Sequence, residues 1–298
     1  MRTARDAVTI IFDNFRGKVM KLNKFSLALL LSSLVASTFA AHADSLSDIQ
    51  ARGSLNCGVY SDVPPFSSPD QQTRQLVGMD VDLCTALAKQ MGLKLNLMPT
   101  SVEARIPVLT TGRVDVLIAN LAYTKSRAAQ IQFSDPYYVA KEMLVVKDKN
   151  AAEPITFFKG KRLSATKGTT SEQSIYLAGA KAITFQDTAS AYLALQQNKS
   201  VGFVTNTMTA IKMIEQAKKG GVNLAMTSFP MALEPIGIGM KQGEPALLAK
   251  VNTSLKAMDD AGEIDQIWDK WIGTKTDYKM VREDKVQPLS NLKFQPLE

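Results

Sequence analysis

Apolar and polar positions along this chain follow two periods in turn. Ser54-Leu55-Asn56-Cys57-Gly58-Val59 reads as a short strand, and Pro64, Pro65 and Pro69 after it cannot continue a sheet. From Gly78 the period changes. Val81, Cys84, Ala88 and Met91 fall at i, i+3, i+7 and i+10, an apolar stripe that predicts a helix ending at Gly92. Leu93 to Leu97 alternates as a strand does, Ile106 and Leu109 before Gly112 predict a second helix, and Val114 to Ile118 a buried strand. The succession then recurs. After a strand at Met143 to Val146 and a linker with Pro154 come Arg162 to Thr166 (strand), Ser171 to Leu177 (helix), Ala182 to Phe185 (strand), Ala189 to Gln196 (helix) and Val201 to Val204 (strand). Ile236 to Met240 reads as one more strand, and Pro245 to Gly262 and Ile264 to Gly273 as closing amphipathic helices whose Trp268 and Trp271 are expected in the core. Alternating strands and helices predict an α/β fold in two lobes, residues 44–140 with 236–298 and residues 141–235, with a ligand cleft between them.

The amino terminus follows neither period. Met20, Lys21 and Lys24 precede an apolar run from Phe25 to Phe39, and Ala41-His42-Ala43 supplies an A-x-A cleavage pattern, so residues 1–43 are expected to be a secretory signal cleaved before Asp44. The run is about fifteen residues, short of the roughly twenty that span a bilayer. Export to the periplasm is the expectation, with Met20 an alternative start. The full chain carries a formal +7, but without residues 1–43 it keeps 29 basic and 26 acidic residues, a charge of +3, which removes the ground for a nucleic-acid partner. The single histidine, His42, leaves with the signal, which excludes Ser-His-Asp catalysis and a His-ligated metal, and two cysteines are too few for a thiolate zinc site. No cofactor is expected. Cys57 on the first strand and Cys84 on the helix packed over it are expected to form a disulfide, since such a pair brings its Cα atoms within bonding range and export is oxidising.

Gly78-Met79-Asp80-Val81-Asp82-Leu83 with Leu87-Ala88 and Met91 resembles the signature helix of the family-3 periplasmic solute-binding proteins, the amino-acid receptors of ABC importers, although Met79 stands where an aromatic or branched residue is usual. The resemblance continues through Pro65-Phe66, Gly112-Arg113-Val114-Asp115, Thr124-Lys125-Ser126-Arg127, Phe133-Ser134-Asp135-Pro136-Tyr137, Gly168-Thr169-Thr170 and Trp268-Asp269-Lys270-Trp271-Ile272-Gly273. It implies a type II periplasmic binding-protein fold, with mixed sheets flanked by helices. The chemistry of an α-amino acid asks for a fixed cationic fork, backbone N–H donors and an acceptor for the ammonium. Family position makes Arg127 the fork, with Asn120 and Ala122 offering backbone groups. Thr169 and Thr170, following the strand that ends at Thr166, resemble the second-lobe loop that takes the same carboxylate at a helix start; an ordinary N-cap is the plainer role. Asn206 stands where an aspartate usually receives the ammonium.

Ala104-Arg105-Ile106-Pro107 and Lys167 to Glu172 look most like the glutamate/aspartate and broad-specificity branches, in which an arginine at the position of Arg105 meets a side-chain carboxylate. A helix-face salt bridge of Arg105 with Glu103 or Asp115 is the competing reading. Tyr60 and Thr188 replace other acid-reading residues, and Val63 and Val102 replace the sandwiching aromatics, leaving Tyr60, Phe66 and Tyr123 as aromatic walls, with Phe66 equally suited to the core. The resemblance implies a monomeric receptor that captures a polar amino acid, acidic ligands included, by lobe closure and delivers it to an inner-membrane ABC permease. Two alternatives remain. One is a periplasmic cyclohexadienyl-type dehydratase using Glu103, Glu172 or Glu234 as its acid; the other is a soluble partner of a membrane sensor.

Overall fold

The computed structural model describes residues 45–298, so the expected signal lies outside the described residues. α1 (Ser45–Arg52) leads into β1 (Ser54–Tyr60), the short β2 (Ser68–Pro69) and β3 (Leu76–Val77), α2 (Met79–Met91), β4 (Lys94–Thr100), α3 (Arg105–Thr110), β5 (Val116–Leu117), α4 (Lys125–Ala128) and β6 (Ile131–Phe133). β7 (Tyr138–Lys147) opens a second run with β8 (Arg162–Thr166), α5 (Thr170–Leu177), β9 (Lys181–Phe185), α6 (Thr188–Gln196), β10 (Gly202–Asn206), α7 (Thr207–Lys219) and β11 (Leu224–Ile236). β12 (Gly239–Lys241), α8 (Pro245–Asp260) and α9 (Glu263–Trp271) complete the elements that position the site.

Two mixed five-stranded sheets result, in the orders β4-β1-β5-β12-β6 and β11-β7-β10-β8-β9. Each has a parallel core, β1 with β4 and β5, β8 with β9 and β10, while β12 and β7 run antiparallel to their neighbours. The chain passes between the sheets twice, through residues 134–137 and through Gly237 and Ile238. The expected continuous strand from Ile236 to Met240 is therefore broken: Gly237 N–H donates to Leu121 O and Ile238 N–H to Ser134 Oγ while the chain changes sheets. β7 starts at Tyr138, five residues ahead of its expected start at Met143, and α7 arises where the sequence reading placed no element.

The pleat of the second sheet sorts its core. Leu144 and Val204 face one buried cluster with Phe158 and Leu163, while their neighbours Val145 and Phe203 face the opposite cluster with Tyr192 and Leu195. In the first sheet Leu55, Val59 and Val116 pack with Leu83 and Leu87 of α2 and with Val251 and Trp268 of α8 and α9. Trp268 Nε1 donates to Met280 O, and Trp271, at the edge of the same core, donates to Asp82. The segment beyond α9 is tied down by buried Arg282, which pairs with Asp259 at 2.6 Å and Asp265 at 2.9 Å and donates to Tyr137 O.

α2 begins where it does because Gly78 has φ 148°, and a Cβ there would lie 2.2 Å from Phe66 O. With hydrogen instead, Met79 and Asp80 N–H dock at 2.9 Å on Pro65 O and Phe66 O. Gly92, at φ 71°, closes the helix in the left-handed region. Cys57 on β1 and Cys84 on α2 are bonded, with Cα atoms 6.1 Å apart, as the strand-under-helix packing requires. The bond spans 27 residues of sequence, so replacing both cysteines by alanine frees that loop in the unfolded chain and should cost about 3 kcal/mol in equilibrium urea unfolding. A loss below about 1 kcal/mol would show that the crosslink adds little constraint.

Candidate functional site

The cleft side of both sheets is lined by polar groups around two adjoining cavities. The larger, about 480 Å³, runs between the segments 60–64 and 100–102 on one side and 186–189 and 209–213 on the other. It shares Tyr60, Val63, Val102 and Thr188 with a polar recess of about 40 Å³ that also takes in Arg105, Asn120, Arg127, Glu142, Thr166, Thr169, Thr170, Thr205, Asn206 and Glu234.

Arg127 is aimed by its own helix start. Thr124 caps α4 by accepting from Arg127 N–H at 3.1 Å, and the guanidinium turns inward, Nη1 donating to Ala122 O at 2.9 Å and Nη2 to Gly168 O at 3.3 Å. Ala122 belongs to the turn after β5 and Gly168 to the turn after β8, so one side chain touches both lobes. Gly168 adopts φ +74°, a backbone that L side chains rarely take. Burial, reinforced by the like charge of Arg105, brings Arg127 down to about 10, which leaves it a cation at neutral pH.

Arg105 is 4% exposed and donates through Nε to Val102 O at 2.9 Å and through Nη1 to Tyr60 Oη at 2.9 Å and Ala119 O at 3.2 Å. The helix-face salt bridge is not formed, because Glu103 pairs with Lys167 and Asp115 with Arg52. Tyr60 lines both cavities. Phe66 does not: it is fully buried behind Tyr60, ring centroids 6.4 Å apart, and belongs to the core rather than the cleft wall.

The expected backbone groups of Asn120 and Ala122 serve the protein itself. Asn120, at φ 39°, donates its N–H to buried Asp80 and accepts from Tyr138 Oη through its side chain, while Ala122 O is held by Arg127. Thr169 caps α5, accepting from Glu172 N–H and donating to Thr166 O at 2.6 Å; Thr166 in turn is hydrogen-bonded to Thr188. Asn206 is also a cap. Its Oδ1 accepts from Thr209 N–H at 2.9 Å, so the amide carbonyl expected to meet an ammonium also starts α7, with one lone pair left for a second donor.

The sequence reading missed Glu142 altogether and named Glu234 only as an acid for the enzyme alternative. Glu142 on β7 lies opposite Ala232 and Glu234 on β11 opposite Ala140, a diagonal pair on adjacent antiparallel strands. They are 3% and 2% exposed. Ser171 Oγ, in the first turn of α5, donates to Glu142. Burial pushes both acids up, Glu142 well above the carboxylate range; the Glu234 charge adds to the rise, and Ser171 and Arg127 oppose it. Glu234 Oε1 has no hydrogen-bond partner, and two carboxyls buried side by side resist ionising together. The period-two register Tyr138, Ala140, Glu142, Leu144 was the available signal, since three of its four members are apolar or aromatic.

Residues 55–274 match the family of bacterial extracellular solute-binding proteins, family 3. The ABC transporter glutamine-binding protein of Bacillus subtilis (strain 168) is 30% identical over 235 residues, 77% of this chain and 85% of that protein. The ABC transporter arginine-binding protein 1 of Escherichia coli (strain K12) is 28% identical over 247 residues, 82% of this chain and 98% of that protein. Among solved structures, an ancestral amino acid-binding protein described as a precursor of cyclohexadienyl dehydratase superposes with TM-score 0.67 at 32% identity, covering 77% of this chain and all of that one.

The carboxyl pair makes a prediction about stability. A carboxyl raised above its unfolded value binds more protons in the native state, so its contribution falls as pH rises from the ordinary carboxylate value to the raised one, by up to about 1.4 kcal/mol per pH unit. Glu142→Gln keeps an N–H donor for Glu234 and cannot ionise. Urea unfolding of both proteins between about pH 5 and pH 9 should show the variant gaining on the wild type as pH rises, and a constant difference would mean the pair does not share a proton.

Proposed function

Because the chain belongs to the family-3 bacterial extracellular solute-binding proteins, we propose that it is the exported receptor of an amino-acid ABC importer. The observation that carries this reading is Arg127, a charged fork that lines the polar recess, rooted in one lobe and touching the other at Gly168. A ligand carboxylate would replace the two neutral carbonyls as its partner, in the bidentate geometry a guanidinium favours. The Thr170 and Ser171 N–H groups, in the first turn of α5, have no intrahelical acceptor by position and favour the same anion. Each lobe then holds part of the ligand, so the ligand stabilises the closed arrangement, with rotation at residues 134–137 and 237–238. The closed form is what a membrane permease would recognise, and a cleaved signal at residues 1–43 would deliver the chain to the outside of the inner membrane.

The ligand in this reading is a polar amino acid. Arg105 is engaged by Tyr60 and Ala119, and the recess carries a buried carboxyl pair, which together favour a ligand without an acidic side chain. Glutamine and arginine, the ligands named for two relatives, are the first to test. The reading assigns the cleft no chemical step, and turnover of a cyclohexadienyl acid by the purified protein would replace it with the dehydratase.

A thermal-shift series over the standard amino acids and cystine should find at least one that raises Tm, since a ligand bound only by the folded state stabilises it. Arg127→Ala should then weaken that ligand more than about a hundredfold, equivalent to about 3 to 5 kcal/mol for a carboxylate left unpaired in a desolvated site, and Arg127→Lys should recover only part. Unchanged affinity in Arg127→Ala would remove the carboxylate clamp.

A further inference from the structure

The carboxylate clamp leaves the Glu142–Glu234 pair without a role. Both residues line the recess with Arg127, on the two strands β7 and β11 from which the chain passes to the other sheet. Ser171 holds Glu142 from the α5 side, while Glu234 Oε1 is buried with no hydrogen-bond partner. Asn206, at the position expected to receive an ammonium, offers no negative charge and already caps α7.

We propose that the Glu142–Glu234 pair is the cation seat of this receptor, where the ligand's ammonium enters between the two carboxyls and displaces the proton they share in the empty cleft. The inference rests on the amino-acid reading above. An ammonium has three N–H donors and no acceptor, so it can give one to each carboxylate, including the buried Glu234 oxygen that has no hydrogen-bond partner. A cation between the two acids favours their ionised forms, so the pair's proton passes to the solvent while the ammonium keeps its own three.

The charges in the recess support the exchange. Arg127 and Arg105 face the pair as cations; Tyr60 and Tyr138, pushed up by burial, stay neutral; Asp80 lies beneath, holding Asn120 N–H. Burial pushes Asp80 well above the carboxylate range, so with two arginines, two ionised glutamates and a zwitterionic ligand the closed recess is neutral, whereas retention of the shared proton would leave an uncompensated positive charge in a desolvated site. Because a proton and an ammonium compete for the same seat, affinity should rise with pH, by up to about tenfold per unit, until the pair is ionised in the free protein and then level off.

Titration calorimetry of the purified protein tests this, with L-glutamine, L-arginine and L-cystine as first probes, then the remaining standard amino acids. The tightest probe is titrated in phosphate and in imidazole, whose ionisation heats differ, at about pH 6 to 8. The expected result is a heat that depends on the buffer, corresponding to release of close to one proton at the lower pH. Glu142→Gln and Glu234→Gln should each abolish the release and weaken binding about tenfold to a hundredfold, while the deamino analogue of the same probe should bind weakly and release no proton. Buffer-independent heat in the wild type, with both variants within about twofold of it, would overturn the cation seat and leave the amino-acid reading standing. Failure of every probe to bind the wild type would overturn the amino-acid reading and the seat with it.

Discussion

A charge taken out of water must find a partner, and much of the cleft's construction answers that requirement. Arg127 rests on two backbone carbonyls, and Arg105 on two carbonyls and a tyrosine hydroxyl. Glu142 draws on the Ser171 hydroxyl, and Asp80 on the N–H of Asn120. These contacts fix the turns that carry them. The positive φ of Asn120 and of Gly168 places backbone groups beside charged side chains that would otherwise be stranded.

The same requirement ties the site to the architecture. β7 and β11 are long, paired over most of their length, and each meets a crossing to the other sheet at one end. The carboxyl pair lies near that end, at the base of the cleft rather than on one wall. Arg127 and Gly168 sit at the rims of opposite lobes. In the proposed function a ligand would be read at two depths, by the acidic pair and by the basic clamp.

Local chemistry made part of this legible in the sequence. Arg162 to Thr166 forms the strand its pattern predicts, α2 ends at Gly92, and the cysteines meet across β1 and α2. Arg127 was visible through a family motif that spacing alone would not have supplied. What escaped depended on neighbours remote in sequence or on competition between two local roles. Glu142 was passed over because the strand was started at Met143, one residue too late to place an acid on its buried face. Asn206 was read as the end of a strand, although Thr209 three residues on marks it equally as the cap of α7, a helix the reading omitted. Phe66 and the break after Ile236 were decided by packing and by the change of sheet, which no window of sequence contains.

The Cys57–Cys84 bond lies wholly within the lobe built on the first sheet, joining a strand to the helix that covers it. It crosses neither the cleft nor either connecting segment. Resistance to heat and proteolysis is thereby sensitive to the thiol state of the surroundings, and material folded in a reducing compartment would be the more fragile form of the chain.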